Sequence, residues 1–375
     1  MKALTLQENL NKGLSLVSRI VSPKAQLPIL NNILLATDRG RLKLSTTNLE
    51  TGITYWLGAK IEKEGAISVP AKTLTEFISF LPPEKVQLEV KNSTLSITSG
   101  SYSANLIGLP ASEFPIVPTL KEEKIFYFSS EELLKGISQT VFAASQDEGR
   151  PVLNGILFQL KGEDLILVAT DGYRLSFKKM KTGKSFKEVK EFQKGLIIPA
   201  KVLGELEKII SGSQQKEEVG LAITSSSNQI IFVTPEVEIV SRLIEGSFPE
   251  FEKIIPEKWT TKVVLEKESF LRAVRMASIF ARESANIVKF KIQNSKFKIS
   301  ANAPQIGDNL IELDAKQEGE ENSIAFNSRF LLDFLSSINT DEISFEMTGP
   351  LNPGIFRPTG DSSYFHIIMP VRVQE

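Results

Sequence analysis

Few side chains in this 375-residue chain could carry out acid–base or covalent chemistry. It has one histidine, His366, and no cysteine. Without cysteine there is no disulfide framework, thiol nucleophile or thiolate metal ligand. Histidine is the group that ordinarily titrates near neutral pH, so a single copy argues against serine–histidine catalysis and against a histidine-bound zinc. Phe365 and Ile367 flank it, which places it in an alternating strand near the C-terminus as a structural or surface residue. Carboxylates remain. Asp171 could serve a phosphoryl or glycosyl hydrolase, but such a site needs a metal cluster or a deliberately spaced acid pair, and the sequence shows neither motif. Asp171-Gly172 reads first as a turn between strands.

Composition narrows the class further. Lys+Arg (44) and Asp+Glu (45) nearly cancel to a formal charge of −1. A protein that holds DNA by electrostatics alone usually shows a basic excess. A conventional tight DNA binder is therefore disfavoured, while weak contact held in place by geometry stays open. The 41% apolar and 24% charged fractions are those of a soluble globular protein, and the length fits two or three domains. No apolar run is long enough for a bilayer, and Met1 to Thr5 lacks the apolar core of a secretory signal. The expected location is the cytoplasm.

The elements that must position these residues are written three times. Pro28-Ile29-Leu30-Asn31-Asn32-Ile33-Leu34-Leu35 corresponds to Pro151-Val152-Leu153-Asn154-Gly155-Ile156-Leu157-Phe158 at a separation of 123 residues, which also pairs Gly13 with Gly136 and Thr47-Asn48 with Thr170-Asp171. A fainter third copy runs Asn286-Ile287-Val288-Lys289-Phe290-Lys291-Ile292, then Lys296-Phe297-Lys298-Ile299-Ser300. Val69-Pro70-Ala71-Lys72, Ile198-Pro199-Ala200-Lys201 and Ala325-Phe326-Asn327-Ser328-Arg329 each precede apolar residues at spacings of three and four: a strand running into a helix, with proline suited to the first helical turn. Each copy also opens with a helix. Leu10, Leu14 and Val17 share one face, as do Leu133, Ile137 and Val141, and Phe270, Leu271, Val274 and Ala277. Thr5-x-x-Glu8 and Ser129-x-x-Glu132 have the capping-box form. Strands such as Leu42 to Thr46 and Val86 to Val90 alternate with period two. The expected class is α+β, with each domain two helices packed on antiparallel strands. The strand pattern breaks at Pro115 to Lys124 and at Ile254 to Lys262, giving domains 1–122, 123–258 and 259–375. Neither linker is long or Gly/Ser-rich, so a rigid array is expected.

Four stretches, in this order and spacing, resemble the bacterial sliding-clamp family, the beta subunit of DNA polymerase III: Pro151 to Phe158, Ala169-Thr170-Asp171-Gly172-Tyr173-Arg174-Leu175, Ser241 to Pro249, and Ile368-Met369-Pro370-Val371-Arg372. The likeness covers the full length. It implies the clamp fold, a head-to-tail homodimer closed into a six-domain ring, and no catalysis and no cofactor. Helices would line the hole around duplex DNA, bound without sequence specificity. Non-core positions on those helices include Lys12, Arg19, Lys72, Lys135, Lys201, Lys208, Arg272, Arg275 and Arg329; taken one at a time, such residues read equally as solvated helix faces. By the resemblance, Lys24, Arg150 and Lys201 contact DNA; the family commonly has arginine where Lys24 stands. It also implies a cytoplasmic, nucleoid-associated processivity factor that tethers the polymerase alpha subunit, the clamp loader, and other polymerases and repair proteins through short peptides.

The family's peptide pocket would be walled here by Leu153, Thr170, Gly172, Tyr173, Arg174, Leu175, Pro256, Asn327, Phe330, Leu351, Pro353, Ile367, Ile368, Met369, Pro370, Val371 and Arg372. Many clamps carry histidine where Tyr173 stands, and Gln374-Glu375 extends past the usual ending. Tyr173-Arg174-Leu175 has no counterpart in the first copy, where Glu50-Thr51-Gly52 stands. A repeat explained by fold alone would not need that difference. The dimer seam would pair sheet edges, with Ala104 and Leu106 meeting Ile279 and Phe280; all four are equally ordinary core candidates. Two rival readings stay on the table: a hydrolase using Asp171 with other carboxylates, and a monomeric three-domain adaptor that never closes.

Overall fold

The computed structural model describes residues 1–21, 27–120, 125–181, 190–212, 218–224 and 228–372. Lys24 and the Gln374-Glu375 extension lie outside them. The described helices are α1 (Gln7–Val17), α2 (Ala71–Phe80), α3 (Ser130–Ser138), α4 (Lys190–Lys194), α5 (Ala200–Ser211), α6 (Lys267–Ala281) and α7 (Ser328–Ser337). Apart from the five-residue α4, which the periodicity does not foretell, they fall two to a repeat. None is long and apolar enough to cross a membrane.

The expected helix faces are the buried ones. Leu10, Leu14 and Val17 on α1, Leu203, Leu206 and Ile210 on α5, and Leu331, Phe334 and Leu335 on α7 all point into cores. Two local expectations are corrected. Thr5 does not cap α1: the N-cap is Leu6, without a side-chain bond, and the Thr5 hydroxyl donates to the Gly58 carbonyl at 3.0 Å. Thr5 sits in the strand Lys2–Leu6, whose ladder turns its hydroxyl toward the sheet. The prolines stand one step earlier than the first helical turn. Pro70 is the N-cap of α2 and, like Pro199, ends a strand, paired opposite Asn32 and Gly155 respectively. Real side-chain caps occur in the third repeat, where Glu266 accepts from the Ser269 N–H and Asn327 from the Arg329 N–H.

Strand register repeats with the sequence. The hairpins Asn32–Asp38/Arg41–Thr47, Gly155–Lys161/Asp164–Thr170 and Ile287–Gln293/Lys296–Ala303 are each flanked by the strand that leads into the repeat's second helix. In each repeat the strand before the first helix pairs with the strand after the second. Gly13 and Gly136 do the same work in two copies. A Cβ on Gly13 would lie 2.6 Å from Tyr55 and 3.0 Å from Leu44; on Gly136 it would lie 2.6 Å from Met180 and 3.2 Å from Leu167. Leu44 and Leu167 are themselves repeat equivalents, so the glycine is what lets the helix lie close on the sheet.

By contact, the chain divides into two compact units: Met1–Leu133 with Lys201–Leu243, and Leu134–Ala200 with Ile244–Glu375. The second repeat is shared because its strands extend the sheets of both neighbours. In the first unit, Val237–Arg242 of the second repeat pairs with Thr51–Gly58 of the first, within an eight-stranded sheet. In the second unit, Tyr364–Ile368 of the third repeat pairs with Arg174–Lys181 of the second, within a nine-stranded sheet. Each joint sets the last strand of one repeat against the fourth strand of the preceding one. Among the described residues, two strands of those same kinds have a partner on one side only. Tyr102–Ile107 ends the five-stranded sheet, and Gly307–Asp314 ends the four-stranded sheet.

The core of the third repeat is aromatic. Phe270, Phe290, Phe297, Phe326, Phe345 and Phe356 meet at centroid distances of 4.7 to 6.3 Å, mostly edge to face, as ring quadrupoles favour. A smaller cluster covers the other side of the nine-stranded sheet: Leu157, Ile166, Val168, Leu175, Ile197, Phe251, Ile355, Phe365 and Ile367.

Candidate functional site

The turn between Asp164–Thr170 and Arg174–Lys181 organises the site. Asp171 Oδ1 accepts from the backbone N–H of Tyr173 (2.8 Å) and Arg174 (3.0 Å). The Thr170 hydroxyl accepts from the Gly172 N–H at 3.1 Å and donates to the Arg174 carbonyl at 2.6 Å. Gly172 has φ +91°, the left-handed conformation that costs glycine nothing. The first repeat makes the same turn: Asn48 Oδ1 accepts from Glu50 and Thr51, and Thr47 bonds Leu49 and Thr51. The turn therefore belongs to the fold, and what differs is the side chains mounted on it.

Chief among these is Arg174. Its Nε meets Asp171 Oδ2 at 3.1 Å, one terminal nitrogen meets Asp333 Oδ2 at 2.5 Å, and the other donates to the Phe142 carbonyl at 2.5 Å. The guanidinium lies 4.5 Å from the Phe330 ring centroid and 5.4 Å from that of Phe142. Only a tenth of the side chain is exposed, so the charge is desolvated, paired and stacked at once. Phe142 and Asp333 were not foreseen. Asp333 follows Arg329 by one helical turn, a spacing that could have flagged it; nothing in the sequence points to the Phe142 carbonyl.

Both Asp171 oxygens are thus engaged within the turn, which removes it as a free base for the hydrolase reading. The one histidine does have a serine neighbour: the Ser176 hydroxyl lies 2.7 Å from His366 Nδ1. Both are fully buried, and the imidazole is packed between Phe142 and Phe334. Burial, then the nearby Arg174 charge, holds the imidazole pKa well below its usual value, so it stays neutral. No substrate could reach this pair. Among the described residues, no group of three or more His, Asp or Glu could hold a metal ion.

Several of the remaining sequence-predicted pocket residues are joined to the Arg174 strand through the backbone. Leu175 pairs with Ile367 and Arg174 with Ile368; the Met369 N–H donates to the Tyr173 carbonyl, and the Val371 N–H to the Ala325 carbonyl. Gly354, just past Leu351 and Pro353, pairs with Ile368. Leu175, Ile367 and Ile368 are buried floor. Tyr173, Gly172, Leu351, Met369 and Arg372 are exposed, and Leu153, Pro256, Pro353, Pro370 and Val371 are half-buried. Asn327 is committed to capping α7. Val152, Ile244, Phe248 and Ile255, which the resemblance does not name, pack half-buried against the Leu175–Ile367 cluster. Exposed and half-buried apolar groups thus stand beside a turn fixed by its own hydrogen bonds.

Of the proposed DNA contacts, Lys201 is exposed. Arg150 is tied back: its Nε meets Asp147 Oδ2 and its Nη1 the Asp171 carbonyl, each at 3.1 Å. Ala104 and Leu106 lie half-buried on the free-edge strand Tyr102–Ile107. Ile279 and Phe280 lie at the end of α6, not on a sheet edge; Ile279 is 58% exposed, while Phe280 packs partly against its own core. The free edge Gly307–Asp314 presents Leu310 instead, 64% exposed.

Comparison with known proteins bears on the whole chain. Family models for the DNA polymerase III beta subunit match residues 1–118 (N-terminal domain), 128–250 (central domain) and 252–372 (C-terminal domain). The "Beta sliding clamp" of Staphylococcus aureus is 32% identical over 365 residues, 94% of each chain, and that of Synechococcus elongatus 29% identical over 379 residues, all of each. A sliding clamp from Bartonella birtlesii, solved bound to griselimycin, superposes with a TM-score of 0.93 at 31% identity. The clamp from Bacillus subtilis gives 0.91 at 30%. Both comparisons cover all of each chain.

Proposed function

The chain belongs to the DNA polymerase III beta-subunit family, and from that membership we propose that it is a processivity factor: a ring that encircles duplex DNA and tethers the replicative polymerase and other replication proteins, without catalysis of its own. Its three domains, 1–122, 123–258 and 259–375, act as matching staves. The observation that carries the reading is the rule of the two joints. Twice within the chain, the fourth strand of one repeat pairs with the last strand of the next. The rule has one fourth strand left over, Gly307–Asp314, and one last strand, Tyr102–Ile107, each at the edge of its sheet among the described residues. Exposed paired-strand edges invite another chain. A second copy, placed head to tail, supplies each edge with its complement and closes two identical seams without a free end. Ala104 and Leu106 then face the partner's third repeat, with Ile279 and Phe280 beside the seam.

In this reading, Tyr173, Leu351, Met369 and their neighbours receive a short peptide from the polymerase alpha subunit, the clamp loader or repair proteins. Burying two apolar anchors there contributes ~1.5–3 kcal/mol each, which before ordering costs reaches only about the millimolar range or somewhat tighter, so the peptide's backbone hydrogen bonds must add to it and partners can exchange. The work is cytoplasmic, at the nucleoid. The test is native mass and shape. Sedimentation should give twice the 41.6 kDa of the chain, and particle images a closed ring with a duplex-wide hole. A stable monomer at micromolar concentration would favour the adaptor reading instead.

A further inference from the structure

The strand Arg174–Lys181 of the second repeat is polar where a joint between domains could be apolar. Arg174, Ser176 and Lys178 alternate along it, so all three project from one face of the sheet. Ser176 and Lys178 are buried, and each of the three meets a side chain of the third repeat. Arg174 meets Asp333. The Ser176 hydroxyl lies 2.7 Å from His366 Nδ1. Lys178 Nζ donates to Ser363 Oγ at 2.6 Å and to Asp361 Oδ2 at 3.3 Å. Lys135 on α3 reaches the same Asp361 oxygen at 3.3 Å, and Ser363 donates to the carboxylate through both its hydroxyl and its N–H. Burial alone would raise the Asp361 pKa, but the Ser363 bonds and the Lys178 and Lys135 charges hold it well below the usual carboxylate range. The first repeat shows that the fold does not require this ladder. The equivalent positions, at the same separation of 123, are Thr51, Ile53 and Tyr55. Ile53 pairs with Ile239, both buried, where Ser176 pairs with His366. Of those three, among the described residues, Tyr55 alone makes a side-chain bond across its joint, to Glu236 Oε2 at 3.2 Å. The joint with the full ladder is the one that carries the candidate peptide site.

We propose that Ser176, Lys178, His366 and Asp361 are positioning residues of the peptide site, locking the two strands that wall it in a single register. The inference rests on the peptide-site reading above and deepens it. The walls come from both members of one strand pair: Tyr173 precedes Arg174, while Met369 follows Ile368 and donates its N–H to the Tyr173 carbonyl. Side chains alternate along a strand, so a slip of one residue sends every wall residue to the opposite face. An apolar pair such as Ile53–Ile239 resists small slides only weakly, because burial is non-directional. Hydrogen-bonded and ionic pairs resist them strongly, since a shifted strand leaves Lys178 and Asp361 buried without partners. A satisfied buried network therefore fixes one arrangement of the two repeats. Walls already held in place bind an extended peptide without first being ordered, which raises affinity although none of the four residues touches the peptide.

The test uses the full-length protein and a labelled probe, the tightest wild-type binder among short synthetic peptides tiled across the polymerase alpha subunit of the same organism. Affinity is measured by fluorescence anisotropy for wild type, Ser176→Ala, Lys178→Met, Lys178→Arg and Tyr55→Phe. Ser176→Ala and Lys178→Met are each expected to weaken binding about three- to thirtyfold. Lys178→Arg keeps a charge facing Asp361 and should recover most of that loss. Tyr55→Phe, the equivalent change at the first joint, should stay within about twofold of wild type. Native mass and circular dichroism confirm that each variant is folded; if Lys178→Met does not fold, Ser176→Ala carries the comparison with Tyr55→Phe. Wild-type binding by Ser176→Ala and Lys178→Met would overturn the assignment. So would a loss in Lys178→Arg equal to that in Lys178→Met, or a loss in Tyr55→Phe equal to either. If wild type binds none of the tiled peptides, the parent reading of the site fails; if it binds and the variants rank otherwise, this inference alone fails.

Discussion

Arg174→Ala should loosen the second unit well beyond the cost of an ordinary surface change. The side chain is 10% exposed and makes three charge-assisted contacts, to Asp171, Asp333 and the Phe142 carbonyl. Breaking a fully buried ion pair from one side costs about 3–5 kcal/mol. Asp171 keeps two backbone donors after the loss, so its share falls to about 2 kcal/mol. Asp333 is 44% exposed, and solvent screening reduces that contact to about 0.5–1 kcal/mol. Lost stacking on Phe330 adds about 0.5–1 kcal/mol. The total is about 3–4 kcal/mol. Asp333→Asn alone should cost no more than about 1 kcal/mol, and Arg174→Lys, which keeps the charge but not the fork, should fall between. Amide exchange in the hairpin 164–181 reads the effect locally. A cost for Asp333→Asn equal to that of Arg174→Ala, or a change in protection of that hairpin by less than tenfold in Arg174→Ala, would refute the central role of Arg174.

Other expectations follow from particular contacts. Gly13→Ala drives a methyl against the Tyr55 ring and should cost ~1–3 kcal/mol in thermal melts; Gly136→Ala meets the pliant Met180 side chain and should cost less. His366 is held neutral in the folded chain, so the unfolded state binds more protons below its ordinary pKa of 6.5. Its contribution is fully present above that pH and is lost as pH falls below it, so His366→Asn should flatten the decline in unfolding midpoint between pH 7 and 5.5; an unchanged decline would rule the histidine out. Ile279→Glu should leave folded monomers by sedimentation; it separates seam from core more cleanly than a charge at Phe280, which also packs inside its own repeat.

The three-fold pattern was legible because each repeat spells its strands and helix faces in apolar spacing, and Pro28 to Leu35 matches Pro151 to Phe158 without a gap. The turn at Thr170–Arg174 was legible for the same reason, through Thr47-Asn48. Side chains recruited across the fold were not. Arg174 meets Asp333 across 159 residues and Phe142 across 32, and no local pattern encodes such a meeting. Capping motifs misled at Thr5, where a strand hydrogen bond outcompetes the helix terminus. Charge pairing was equally invisible: Lys12 and Glu236 are 224 residues apart, so a basic helix face in sequence need not be a basic surface in space.

Encirclement itself is tested most directly by topology. With a clamp loader and ATP, the protein is loaded onto nicked circular plasmid, passed through a sizing column at high salt, and then the plasmid is cut once. An encircling protein co-elutes with the intact circle and is lost within minutes of linearisation. Protein that washes off the circle, or that stays bound after the cut, would mean it holds DNA by contact and not by enclosure.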